Sequence, residues 1–183
     1  EVRGADLLAV ASPDQGRTWT IIARIRMFPD YPGTAPDGYA YLCEPHVTEV
    51  APGRLVAMAR YEEVPRAPER DRLWQFTSED GGLHWTEPRE LPIRGKPPHL
   101  ITLRDGRVLV TYGYRYAPFG QRACLSTDGG TTWAYADEII LRADAPSGDL
   151  GYPASVELPD GTILTVYYQQ EHAGEQTCLM ATH

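Results

Sequence analysis

The stretch Ser126-Thr127-Asp128-Gly129-Gly130-Thr131-Thr132-Trp133 decides how the rest of the chain is read. Its spacing, Ser-x-Asp-x-Gly-x-x-Trp, recurs at Ser12, Asp14, Gly16 and Trp19, and again at Ser78, Asp80, Gly82 and Trp85. The residue before each tryptophan is Thr18, His84 or Thr132. Every position has a physical task. The Asp carboxylate can accept backbone N–H groups across a tight turn. The Gly supplies a positive φ that other residues resist. The Trp begins the next strand and can fold back over the turn as an apolar lid. The octapeptide therefore predicts a self-stapled β-hairpin, and three copies in 183 residues predict a repeat architecture.

A second repeat interleaves with the first. Pro45-His46-Val47, Pro98-His99-Leu100 and Pro153-Ala154-Ser155 align, and a turn glycine follows each at the same distance: Gly53, Gly106 and Gly161. Asp105-Gly106 and Asp160-Gly161 are strong two-residue hairpin signals, with Pro52-Gly53 a variant. Apolar strand patterns come next, over 55–61, 108–114 and 163–168. Each unit reads as strand, tight turn, strand, longer loop, strand, Ser-x-Asp turn, strand. That is one four-stranded antiparallel blade, and the expected fold is an all-β propeller. A β-sandwich has similar turns, but two different turns in fixed order argue against it, and no segment holds a helical period. As a single domain over 1–183, the chain divides into a partial blade at 5–28, blades at 43–93 and 97–142, and a partial blade at 151–182. A propeller closes with four blades or more, and an open arc exposes edges and sheet faces. Two arrangements follow: a piece of a longer, six-bladed ring, favoured because both ends fall inside a blade, or a homodimer that completes the ring.

Composition narrows the function classes. Hydrophobic residues are 42% of the chain and the formal charge is −8, with Lys96 the sole lysine. The arginines are scattered, which opposes the basic face that nucleic-acid binding needs. No apolar run reaches the roughly 18–20 residues of a membrane span. The chain starts at Glu1 without a charged-then-apolar leader. Cys43, Cys124 and Cys178 match no zinc spacing; Cys124 and Cys178 lie in apolar strand patterns, where a free Cys acts as a small hydrophobe. No cofactor is expected. His46 and His99 lack a third ligand at sensible spacing, so no metal is expected either.

The repeat also locates a site. The Ser-x-Asp turns join strands 3 and 4 and lie on one face of the ring. Strand 1 starts and strand 2 ends on the other, where the inner strands converge on the axis. Glu44 and His46, Lys96 and His99, and Asp149 and Tyr152 stand at the strand 1 starts. Arg60 and Tyr61, Tyr114 and Arg115, and Tyr168 and Gln170 stand at the strand 2 ends. Repeat-equivalent positions diverge there: Glu44 aligns with Pro97 and Tyr152, and Arg60 with Gly113 and Tyr168. Structural positions agree between repeats, whereas an asymmetric ligand asks different groups of each blade. Plainer roles stand beside each candidate: Glu44 as half of a rim ion pair, Arg60 and Arg115 as solvated strand ends, His46 and His99 as packed polar residues, Tyr152 as a packing aromatic, and Asp149 as a turn cap.

The three Ser-x-Asp turns, together with the stretches 97–115 and 149–168, resemble the Asp-box (BNR-repeat) propellers of the sialidase, or neuraminidase, superfamily over essentially the whole chain. The resemblance implies a glycoside hydrolase acting on terminal sugars. In sialidases three arginines clamp the substrate carboxylate, a Tyr assisted by a Glu attacks the anomeric carbon, and an Asp is the acid/base. A neutral nucleophile avoids repulsion from the sugar's carboxylate, and guanidinium forks bind that carboxylate bidentately. By position, the resemblance implies Tyr152 as nucleophile, Glu44 as its partner and Asp149 as acid/base. Arg60 and Arg115 become clamp members, with His46, His99, Tyr114, Tyr168 and Gln170 as further substrate contacts. A third arginine has no match, and the arginine-bearing first-blade motif of sialidases is not present. The superfamily also favours a secreted or periplasmic location. It contains non-hydrolytic members, so a non-catalytic propeller that binds glycan or protein is the alternative, and a different glycan-cleaving chemistry on the same scaffold a third.

Overall fold

The computed structural model describes residues 6–26 and 39–183. Residues 5 and 27–28 of the expected first partial blade therefore lie outside the described residues. Among the described residues thirteen strands form four antiparallel sheets of a β-propeller. Blade I is β1 (Leu7–Ala11) and β2 (Thr20–Ile25). Blade II is β3 (Tyr39–Ala51), β4 (Arg54–Val64), β5 (Leu73–Ser78) and β6 (Arg89–Glu90). Blade III is β7 (Pro98–Thr102), β8 (Val108–Tyr114), β9 (Gly120–Ser126) and β10 (Ile139–Arg142). Blade IV is β11 (Gly151–Glu157), β12 (Ile163–Gln169) and β13 (Cys178–Thr182). The only helical turns among the described residues are 3-10 segments at Pro68–Arg70 and Tyr135–Asp137.

Each Asp-box turn closes on itself through one set of bonds. Ser126 Oγ donates to Asp128 Oδ1 (2.8 Å) and accepts the Gly130 N–H (2.8 Å). Asp128 then accepts the Thr132 N–H (2.8 Å) and the Thr132 hydroxyl (2.6 Å). The turns at Ser12 and Ser78 repeat this pattern, with the His84 imidazole in place of the threonine hydroxyl, 2.6 Å from Asp80. Gly16, Gly82 and Gly130 hold φ of +88°, +93° and +82°, which only glycine adopts freely.

The tryptophans do more than cap their own turns. Trp19 and Trp85 donate back to Gly16 and Gly82 (3.1 and 2.9 Å), as a lid would. Trp133 instead donates to Gln75 of blade II (2.7 Å), and Gln75 in turn donates to the Gly130 carbonyl (2.8 Å). Trp133 is buried between blades II and III, and Trp85 packs between blades I and II. The tryptophan thus wedges its blade onto the preceding one. Trp19, with no blade before it among the described residues, is 62% exposed.

The core accordingly forms three apolar seams between blades. Val56, Met58, Leu73, Val108, Val110 and Cys124 are among those that fill the seam between blades II and III. Ile25, Leu42, Ala57, Trp74 and Phe76 belong to the I–II seam, and Leu103, Leu109 and Ala123 to the III–IV seam. Cys124 is a buried hydrophobe as expected, but Cys178 is exposed, because β13 is the outer strand of its sheet.

Candidate active site

Strand 1 of blades II and IV carries a bulge at the same repeat position. Pairing slips between Cys43 and His46 in β3, and between Gly151 and Ala154 in β11. The bulged residues Glu44 and Tyr152 hold φ of +50° and +51°, a left-handed conformation that bulky side chains avoid. Bulges re-aim side chains, and strain of this kind persists where the surroundings impose it. Blade III has Pro97 at the equivalent position and presents no polar group there.

The two re-aimed side chains meet across blade III. The Tyr152 hydroxyl donates to Glu44 Oε1. Arg60, within β4 and paired with Cys43 of β3, donates through NH1 to Glu44 Oε2 (2.9 Å). Its Nε and NH2 grip Glu62 Oε1 at 2.6 and 2.5 Å. Behind Glu62 lies Lys96, whose ammonium is 3.1 Å from Glu62 and 2.7 Å from Asp71. Asp71 also accepts the Tyr116 hydroxyl, and Arg94 stacks on the Tyr116 ring at 3.5 Å.

A second branch flanks Tyr152. Tyr168 donates to Asp149 (2.9 Å), and its ring centroid lies 5.9 Å from that of Tyr152. Arg115 donates to the Tyr168 hydroxyl (3.4 Å) and stands 5.9 Å from the Tyr152 ring centroid. It makes no ion pair among the described residues, and its Nε is buried without a partner. Gly113 lets these groups approach: a Cβ there would lie 2.8 Å from both the Gly151 Cα and the Lys96 carbonyl. The divergence from Arg60 to Gly113 between repeats is therefore a packing requirement as well as a mark of the site.

Ionisation follows the geometry. The hydrogen bond to the Glu44 carboxylate, with burial, raises the Tyr152 phenol above its ordinary value. Burial pushes Glu62 upward, but hydrogen bonds from Lys96 and Arg60 outweigh it and hold Glu62 below the usual carboxylate range. Burial, aided by Glu44, lifts the Cys43 thiol to about 11, so this neighbour is a poor nucleophile at neutral pH.

Four of the expected contacts have partners within the protein. His46 Nδ1 accepts the Leu100 N–H (3.1 Å) and His99 Nδ1 accepts the Ser155 N–H (3.3 Å), so each imidazole latches its blade to the next. The two rings also lie against each other, tilted by 38° with centroids 4.0 Å apart. Tyr114 packs against Tyr116 and under the Arg122 guanidinium, because strand alternation turns it away from Arg115. The Gln170 amide is held by Ser147 (2.8 Å) and by the Glu175 carbonyl (2.6 Å). Conversely, the repeat alignment does not single out Glu62 or Asp71, and it gives Lys96 a position without a role. Glu62 carries the plainest signal, standing two residues from Arg60 on the same strand face; Asp71 lies in a loop with no repeat counterpart. Among the described residues no three His, Cys, Asp or Glu side chains converge as a metal site, and no helix is long and apolar enough to cross a membrane. A groove of about 270 Å³ between blades I and II, lined mainly by apolar residues such as Leu8, Val10, Ile22 and Trp85, lacks convergent ionisable groups.

The sequence profile of the BNR repeat-like domain matches residues 2–167. The chain belongs to this family. Among solved structures, the BNR repeat-like chain is similar to a protein of unknown function from Dyadobacter fermentans, with 31% identity and a TM-score of 0.75 over 94% of this chain and 43% of that one. It is also similar to the Hadza microbial sialidase Hz136, with 20% identity and a TM-score of 0.66 over 94% of this chain and 37% of that one. The GH93 α-L-arabinofuranosidase of Fusarium graminearum shares 16% identity and a TM-score of 0.61 over 99% of this chain and 54% of that one. The last two likenesses are of fold. The chain spans less than half the length of the first two structures. No curated protein matches the sequence significantly.

Proposed function

We propose that this protein is an exo-acting glycoside hydrolase of the sialidase type, with Tyr152 as nucleophile and Glu44 as its base. The observation that carries the reading is the hydrogen bond from the Tyr152 phenol to Glu44, a carboxylate that Arg60 holds in place. In the reaction, Tyr152 Oη bonds to the anomeric carbon as the bond to the leaving-group oxygen breaks. The phenolic proton passes to Glu44. The leaving oxygen takes a proton from an acid, for which Asp149 is the candidate. Water then attacks the anomeric carbon and gives its proton back to that acid as the bond to Tyr152 Oη breaks, and Glu44 returns its proton to the departing phenolate.

The charge balance bears on the substrate. Arg60 is already matched by Glu44 and Glu62, so recognition of a sugar carboxylate by these blades rests on Arg115. The test is a screen of aryl α-sialosides and aryl α-L-arabinofuranosides with wild type and Glu44→Gln. Turnover of at least one series, reduced about 100-fold or more in the variant, is expected, within the usual worth of a general base. Glycan binding without turnover, or full activity in Glu44→Gln, would contradict the reading.

A further inference from the structure

The side chains behind the Tyr152–Glu44 pair form a line of alternating charge across two blades: Asp71, Lys96, Glu62, Arg60, Glu44. We infer that Lys96 is a positioning residue: by holding Glu62 it fixes the Arg60 guanidinium, and through Arg60 it fixes Glu44 on the Tyr152 hydroxyl. This inference rests on the catalytic reading of Tyr152 and Glu44, and no part of it requires Lys96 to touch substrate.

Stability alone is a poor reason for this lysine. Lys96 is 1% exposed, and taking an ammonium and two carboxylates out of water costs about as much as their attraction returns. The fold does not need a cation there, since the equivalent positions in blades II and IV are Cys43 and Gly151. The line also has a direction. Asp71, held by Lys96 and the Tyr116 hydroxyl with Arg66 at 3.6 Å, closes the inner end, and the Tyr152 hydroxyl terminates the outer one.

The geometry at Arg60 shows how the effect is passed on. Nε and NH2 are engaged by Glu62, so only NH1 reaches Glu44. Glu44 Oε1 then takes the Tyr152 proton while NH1 leans on Oε2, with a longer contact of 3.2 Å to Oε1. Without Lys96, the desolvated Glu62 takes a proton and loosens its grip. The freed fork turns bidentately onto Glu44, the geometry guanidinium–carboxylate pairs prefer, and competes with the Tyr152 hydroxyl for Oε1. Glu44, Arg60 and Arg115 are the charged groups that bear on the Tyr152 phenol, and removing Lys96 changes the first two together.

The experiment is a pH titration of Tyr152 by NMR in protein carrying Cζ-labelled tyrosine, with Tyr152→Phe identifying the resonance. In Lys96→Met the Tyr152 pKa should fall toward the ordinary value of about 10. Lys96→Arg, which keeps the charge, should restore at least part of the raised value. With any aryl glycoside the protein turns over, Lys96→Met should lower kcat at least tenfold and change KM less than about threefold. If Lys96→Met fails to fold, Lys96→Met/Asp71→Asn removes the buried pair together and is titrated instead. An unchanged Tyr152 titration in a folded variant would overturn the inference. Full turnover in Tyr152→Phe would overturn the catalytic reading while leaving the titration to decide the positioning role.

Discussion

His46 and His99 show how a side chain at the axis can serve the fold. Each must be neutral at Nδ1 to accept a backbone N–H from the next blade, and the two rings are in tilted contact. Burial draws both below the ordinary imidazole value, His99 to about 4 with His46 adding to the effect. A histidine with a depressed folded pKa lets the unfolded state bind the proton first, so stability rises with pH across that window. The latch is fully present above about pH 6.5, the unfolded value, and is lost as pH falls toward 4. The melting temperature of wild type should therefore drop over this range more steeply than that of His46→Gln/His99→Gln, whose amides still accept a hydrogen bond. Parallel curves would assign the pH dependence to other groups. The sequence puts both histidines at repeat-equivalent positions but does not show where Nδ1 points. It hides Asp71 for another reason: Asp71 meets Lys96 only because the loop after β4 folds under blade III. Glu44, Arg60 and Tyr152 were legible because the two interleaved repeats fix their register on one face.

At the scale of the element, the first strands of blades II and IV carry the geometry of the candidate site. The bulge in β3 and β11 sets Glu44 and Tyr152 at positive φ, a feature the repeat alignment does not reveal because neither position is glycine. The Asp-box turns were readable in outline: the Asp carboxylate accepting backbone N–H groups and the Gly at positive φ follow from the spacing, whereas the bonds of Ser126 Oγ and of the Thr132 hydroxyl do not. The Trp133 wedge onto blade II was not, because its Gln75 partner is long-range. The close approach of blades III and IV at Gly113 is equally long-range, and it is testable. Gly113→Ala would press a methyl group against the Gly151 Cα and the Lys96 carbonyl, both backbone and unable to rotate away. Overpacking of this kind costs about 1–3 kcal/mol. Denaturant unfolding should show that loss, and activity should fall further as Tyr152 is displaced. A variant as stable and active as wild type would show that the two blades are less tightly apposed than described.

At the scale of the whole molecule, the site belongs to no single blade. Blade II supplies Glu44, Arg60 and Glu62, the segments before β7 and after β8 of blade III supply Lys96 and Arg115, and blade IV supplies Tyr152 and Tyr168. Seams of apolar side chains and tryptophan wedges fix the blades against one another, so groups 108 residues apart, Glu44 and Tyr152, meet at one hydrogen bond. Ring folds achieve such convergence without a dedicated domain, and a likeness of fold to two different glycosidases fixes neither activity nor substrate. The proposed chemistry depends on Tyr152. The most direct test is turnover of an aryl glycoside by Tyr152→Phe, measured alongside its melting temperature. The expected result is loss of turnover by about 1,000-fold or more, as for a missing nucleophile, with a melting temperature within a few degrees of wild type, since Tyr152 is 48% exposed and its hydroxyl bonds only at the rim. Turnover at the wild-type rate by a folded Tyr152→Phe protein would remove Tyr152 from the chemistry and contradict the proposal.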